Sequence, residues 1–97
     1  MARYVSLINW TDQGIAAFPD TTDRADAATD LAKSLGAELQ EIYWCLGPYD
    51  IVAILEAPDD ETVTAFALKL SSAGNVRTAT MRAYSRDEMS AIIAKAG

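Results

Sequence analysis

The chain of 97 residues is predicted to fold as an α+β domain, a ferredoxin-like βαββαβ sandwich with an extra C-terminal helix. Three observations predict it. Segments rich in β-branched and aromatic residues alternate with segments whose apolar residues recur at helical spacing. Each change of period is marked by Gly, Pro or an oxygen-bearing cap. The resulting order is strand, helix, strand, strand, helix, strand, helix, which is two split crossover units plus a terminal helix.

Arg3–Trp10 (RYVSLINW) is the first strand, and Thr11-Asp12-Gln13-Gly14 reads as a turn or cap that stops it. A helix is expected from Thr22 or Asp23, with Ala25, Ala28, Leu31, Ala32 and Leu35 on one face and Gly36 as its stop. Leu39–Leu46 and Tyr49–Glu56 form a hairpin around Gly47-Pro48, since proline cannot donate to a ladder and glycine accepts the bend. Asp59, Asp60 and Glu61 after Pro58 open a second helix at its positive end, with Val63, Phe66, Ala67 and Leu70 on its apolar stripe before Gly74. Val76–Tyr84 returns to strand. Ser85 and Glu88 then make a capping box for a last helix carrying Met89, Ile92, Ile93 and Ala96.

A sheet covered by helices on one side alternates apolar and polar residues when its other side meets water. These strands do not. Val5 and Leu7 oppose Tyr4, Ile8 and Trp10; Ile42, Trp44 and Leu46 oppose Leu39, Tyr43 and Cys45; Ile51, Ala53 and Leu55 oppose Val52 and Ile54. Strands ~4.8 Å apart and about six residues long at ~3.3 Å each give a face of roughly 400 Å², within the ~300–600 Å² of the largest patch on a typical monomer. Its aromatic side chains are typical interface anchors, so two copies are expected to pack sheet against sheet. The competing expectation folds the terminal helix across the open face within one chain, covering Met89, Ile92 and Ile93.

Composition removes several function classes. There is no histidine and only one cysteine, so catalytic triads, imidazole-ligated haem and zinc clusters lose an essential part. Eight basic against fourteen acidic residues give a net charge of −6, which argues against nucleic acid and anionic membrane surfaces as partners. No apolar run reaches the ~18 residues of a membrane span, and the N-terminus does not resemble a signal peptide, so a cytoplasmic location is expected. Neither a cofactor nor a bound metal is expected: Asp59-Asp60-Glu61 is explained by capping and the helix dipole.

Ile42–Asp50 (IYWCLGPYD), with Val52, Ile54, Glu56 and Pro58 following, resembles the GYD-domain family, named for its Gly-x-Tyr-Asp signature. Gly47, Tyr49 and Asp50 match that signature residue by residue, while Cys45 and Pro48 fall at variable places. The likeness extends to Asn9–Gly14 and Gly74–Thr78, so it spans nearly all of residues 1–97 as one domain. It implies the dimeric α/β-barrel superfamily, whose ferredoxin-like protomers pair through their sheets and often keep a pocket between sheet and helices. That superfamily includes cofactor-free monooxygenases, lactone isomerases, haem enzymes and small-molecule sensors, so the fold does not select a function.

Asp50 is the sharpest catalytic candidate, since desolvation at a strand edge would suit a carboxylate to proton transfer; the competing reading has it capping backbone N–H groups at the hairpin. Tyr49 is the second. Trp10, Tyr43 and Trp44 are candidates to line a ligand pocket with Tyr49, with Asn9 and Arg82 as polar groups that orient a small molecule. The competing reading places those aromatics in the core or the dimer interface and Arg82 in solvent. Cys45 has no cation nearby in sequence and reads as a small buried hydrophobe. These features favour a small-molecule-binding or accessory homo-oligomer, dimeric or larger, without a complete catalytic constellation. The alternatives are a cofactor-free monooxygenase or isomerase using Asp50 or Tyr49 with Asn9 or Arg82, and a purely structural assembly module.

Overall fold

The computed structural model describes residues 1–97. The elements are β1 (Ala2–Trp10), α1 (Asp12–Ala16), a 3₁₀ turn (Phe18–Asp20), α2 (Thr21–Ser34), β2 (Glu38–Trp44), β3 (Ile51–Ala57), α3 (Asp60–Ser72), β4 (Val76–Ala83) and α4 (Arg86–Ala96). The sheet order is β2-β3-β1-β4, with every neighbouring pair antiparallel. This is the ferredoxin-like arrangement expected, with α2 and α3 on one face of the sheet.

The period of two along β1 and β3 separates the faces. Tyr4, Ser6 and Ile8 of β1 and Ile51, Ala53, Leu55 and Ala57 of β3 are buried towards the helices. Ala28 and Ala32 of α2 let that helix lie close, and Val63 and Phe66 of α3 fill the space beside Tyr4, Leu55 and Ala57. A second cluster, Ile8, Ile51, Ala53 and Val76, lies at the other end of the same layer. Burying a side chain the size of Leu55 or Phe66 stabilises the fold by about 1.5–3 kcal/mol. The opposite face presents Val5, Leu7, Tyr43, Val52, Ile54 and Met81, with Tyr43 54% and Met81 48% exposed. It carries no helix of its own chain.

Local details differ from the sequence reading. β2 has a bulge between Leu39 and Glu41, so Leu39 pairs with Leu55 and packs into the core on the same side as Ile42, not opposite it. β2 ends at Trp44 and β3 starts at Ile51. The connection is therefore the loop Cys45–Asp50, closed by Cys45 N–H donating to Asp50 O at 2.8 Å, and not a tight turn at Gly47-Pro48. Gly47 sits at φ 133°, which takes the chain out of the ladder. Cys45 lies in that loop and is exposed, correcting the expectation of a buried hydrophobe.

Thr11–Gly14 is the first turn of α1, with Thr11 as N-cap accepting from Gly14 N–H at 3.1 Å. α2 begins at Thr21, one or two residues before the expected Thr22 or Asp23, following directly on the 3₁₀ turn, whose Asp20 makes no side-chain cap bond. Asp59 does cap α3, accepting from Thr62 N–H at 2.8 Å. α4 carries the expected Ser85–Glu88 capping box, but no residue of it is buried and it lies along no other strand or helix. The terminal helix therefore does not cover the open sheet face of its own chain.

Candidate functional site

Between the sheet and the two helices is a cavity of about 250 Å³. Its walls come from Ile8 and Trp10 of β1, Ala25, Ala28 and Leu31 of α2, Ile42 and Ile51 of the neighbouring strands, and Leu70 of α3. The small side chains of α2 that let the helix approach at Ala28 and Ala32 leave this space open nearer its start. Four polar residues join the lining: Thr21 and Arg24 of α2, Lys69 of α3 and Asn75 of the α3–β4 loop. Arg24 donates to Ala17 O and Gly14 O, both at 3.1 Å, capping the end of α1. Neither Arg24 nor Lys69 makes an ion pair within the chain. The indole Nε1 of Trp10 is buried without a hydrogen-bond partner, a donor whose desolvation is not offset.

One end of the cavity is held by a seam between the β1–α1 turn and the α3–β4 loop. Thr11 N–H donates to Asn75 O at 3.0 Å, and the Thr11 hydroxyl donates to Gly74 O at 2.5 Å. Gln13 Nε2 donates to Ala73 O and Asn75 Oδ1, both at 3.0 Å. Gly14 permits the approach, since a Cβ there would stand 1.9 Å from Asn75 O. Asp50 adds a third strut. Its Oδ2 accepts from Trp10 N–H at 2.9 Å and its own N–H donates to Ile8 O at 3.0 Å, joining the β2–β3 loop to the end of β1.

The residues singled out in the sequence are not brought together. Trp10 lines the cavity. Trp44 lies at the sheet edge, 41% exposed, with its indole N–H donating to Thr21 Oγ1 at 3.0 Å. Tyr49 is half-buried in the Cys45–Asp50 loop. Asn9 and Tyr43 belong to the open face of the sheet, away from the cavity. Arg82 lies in a second, more polar groove between α3 and β4, with its guanidinium 4.5 Å from the Tyr84 ring centroid and 5.8 Å from that of Tyr4. It donates to Arg3 O and Ala83 O and pairs with Glu88 Oε2 at 3.4 Å. In the same groove the buried Tyr4 hydroxyl donates to Asp60 Oδ1 at 2.5 Å, and that bond, helped by burial, pushes its pKa up to about 12.

Thr21, Arg24, Lys69 and Asn75 are not among the residues that the sequence singles out. A signal for two of them exists in the spacing. Arg24 shares the i, i+1, i+4, i+7 stripe of Ala25, Ala28 and Leu31, and Lys69 stands three residues after Phe66, so each cation sits on a helix stripe that is otherwise apolar.

A four-stranded ferredoxin-like layer with two helices over a small cavity defines the class of protein. The GYD domain model matches residues 4–93, and the chain belongs to that family. A Thermus thermophilus protein described as a glutamine synthetase and cystathionine beta-lyase binding protein is 33% identical over 84 residues, covering 86% of this chain and 88% of the relative. Among solved structures, TTHA0845 from Thermus thermophilus is 27% identical with a TM-score of 0.56, covering 89% of this chain and all (100%) of that one. MtbAldR is similar in fold, with a TM-score of 0.67 at 13% identity; 88% of this chain matches 52% of that one, so the chain spans about half of its length. No helix of the structure is long and apolar enough to cross a membrane.

Proposed function

We propose that the chain is an accessory binding protein that pairs through its open sheet face and holds a small, apolar, anionic ligand between sheet and helices. The observation that carries this reading is the pair of cations without ion-pair partners, Arg24 and Lys69, on the wall of an otherwise apolar cavity. Burying apolar groups in the cavity provides affinity, while the two cations favour a carboxylate or similar charge at its rim. The volume of about 250 Å³ lies below the ~300–1,000 Å³ of drug-sized pockets, which limits the ligand to a small metabolite.

The scatter of Asp50, Tyr49, Asn9 and Arg82 over the loop, the open face and the second groove supports binding over proton-transfer catalysis. Likeness to the Thermus relative supports a further partner, an enzyme of the glutamine synthetase or cystathionine β-lyase kind.

Native mass spectrometry of the purified chain tests the core of this reading. The expected result is an even number of subunits with a small bound mass that denaturation releases. Ala25→Leu, which fills the cavity from a lining position outside the packed core, is expected to keep the subunit number and lose the bound mass. A monomer with nothing bound, or a bound mass indifferent to Ala25→Leu, overturns it. Titration with the cognate glutamine synthetase and cystathionine β-lyase, read by mass shift, tests the enzyme partner separately.

A further inference from the structure

Helix α4 is built to be a helix, yet none of its residues is buried. Its start is fixed by the reciprocal capping box, with Glu88 N–H donating to Ser85 Oγ at 3.1 Å and Ser85 N–H to Glu88 Oε1 at 2.9 Å. The Arg82–Glu88 pair at 3.4 Å ties that first turn to the end of β4. Beyond it the helix runs free, and the molecule measures 50 × 30 × 18 Å. Met89, Ile92 and Ile93 recur at i, i+3 and i+4 on one stripe and are 46%, 37% and 60% exposed. A free helix of this length is marginal in water, so the stripe and the caps are together evidence for a covered state.

The charges that flank the stripe indicate what covers it. Glu88 and Lys95 are seven residues apart, which places them on the same flank at opposite ends of α4. A helix laid antiparallel on an identical helix about a two-fold axis brings each such acid beside the other copy's base. Its Met89, Ile92 and Ile93 meet the same residues of the other copy, and the two helix dipoles oppose favourably. A parallel copy would set this flank against the opposite flank of the other copy, so Glu88 and Lys95 would not meet, and it would align the two helix dipoles unfavourably.

We propose that α4 pairs antiparallel with α4 of a second copy of this chain, through a two-fold contact separate from the open sheet face. Glu88 faces the partner's Lys95, and Lys95 the partner's Glu88. An eleven-residue helix is only about 16 Å long, so the patch is well under the ~800 Å² per partner of a standard interface, and the contact is weak unless chains are already joined elsewhere. With the sheet face as a first two-fold and α4 as a second, each chain links two neighbours, and assemblies larger than pairs follow.

Sedimentation velocity and native mass spectrometry over a concentration series test this on the full chain. Because no residue of α4 is buried in its own chain, the double substitution Ile92→Asp with Ile93→Asp is expected to leave the thermal midpoint of the fold nearly unchanged. It is expected to weaken the α4 contact by at least about tenfold. Lys95→Glu is expected to weaken it several-fold, and α4 amides of the wild type to gain hydrogen-exchange protection as concentration rises. Wild type assembling beyond pairs and the double variant stopping at pairs supports both contacts. Wild-type pairs that the double variant splits to monomers support the α4 contact and overturn pairing through the sheet. Wild type and double variant with the same distribution of species, or α4 protection that does not change with concentration, overturns the α4 contact and leaves the sheet face to be judged by its own substitutions.

Discussion

Gly14 shows how one missing methyl group holds a domain end together. A Cβ at that position would lie 1.9 Å from Asn75 O, a backbone atom that the Thr11 N–H also holds in place, while Gln13 holds the Asn75 side chain. Gly14→Ala is expected to lower stability by about 1–3 kcal/mol or more through overpacking, read as a drop in the thermal midpoint; an unchanged midpoint would show that the seam is not tight. Tyr4 makes a residue-scale prediction in base. Its bond to Asp60 raises its pKa from 10.0 to about 12, so folding favours the neutral phenol. The resulting contribution is fully present below pH 10, the ordinary tyrosine value, and is lost as pH rises from there through about 12. Stability is expected to fall over that window, and Tyr4→Phe to flatten the fall; an equally steep decline in Tyr4→Phe denaturation curves would assign it to other groups. Asp50 belongs at this scale too. The carboxylate that the sequence offers as a catalyst, or as a cap within its own hairpin, accepts instead from Trp10 N–H at the end of β1.

At the scale of elements, the bulge at Gln40 decides more than any propensity does. Counting alternation from Ile42 backwards puts Leu39 on the opposite face, but the extra residue restores it to the core beside Leu55. Leu39→Lys is therefore expected to destabilise the fold by about 2–5 kcal/mol, in the range of losing a large core side chain. Tyr43→Lys, on the open face and 54% exposed, is expected to leave the midpoint of the separated chain nearly unchanged. Equal effects in urea denaturation would contradict the observed register. The helices were legible because their stripes are local: Ala28, Ala32, Val63 and Phe66 are buried where the 3.6-residue period puts them. The five-residue α1 was not, because its stability comes from Thr11 capping and from docking on the distant Gly74–Asn75 loop.

For the molecule as a whole, the open layer of Val5, Leu7, Val52, Ile54 and Met81 and the bare stripe of α4 are two apolar surfaces on different elements of one short chain. In the native mass measurement that tests pairing, Val52→Lys is the informative sheet-face change. It places a charge at the centre of the proposed contact while sparing the core on the other side of β3.

Local periods, caps and short motifs were enough for the order of the four strands and the three longer helices, the ferredoxin-like class, the capping of α3 and α4 and the family. Which residues meet was decided only in three dimensions. The cavity draws on Trp10, Arg24, Lys69 and Asn75 from four separate segments, and the candidates Asn9, Tyr43 and Arg82 fall elsewhere. The reason is that a one-residue bulge and the approach angle of two helices set the neighbours of a side chain, and neither leaves a periodic trace in the sequence.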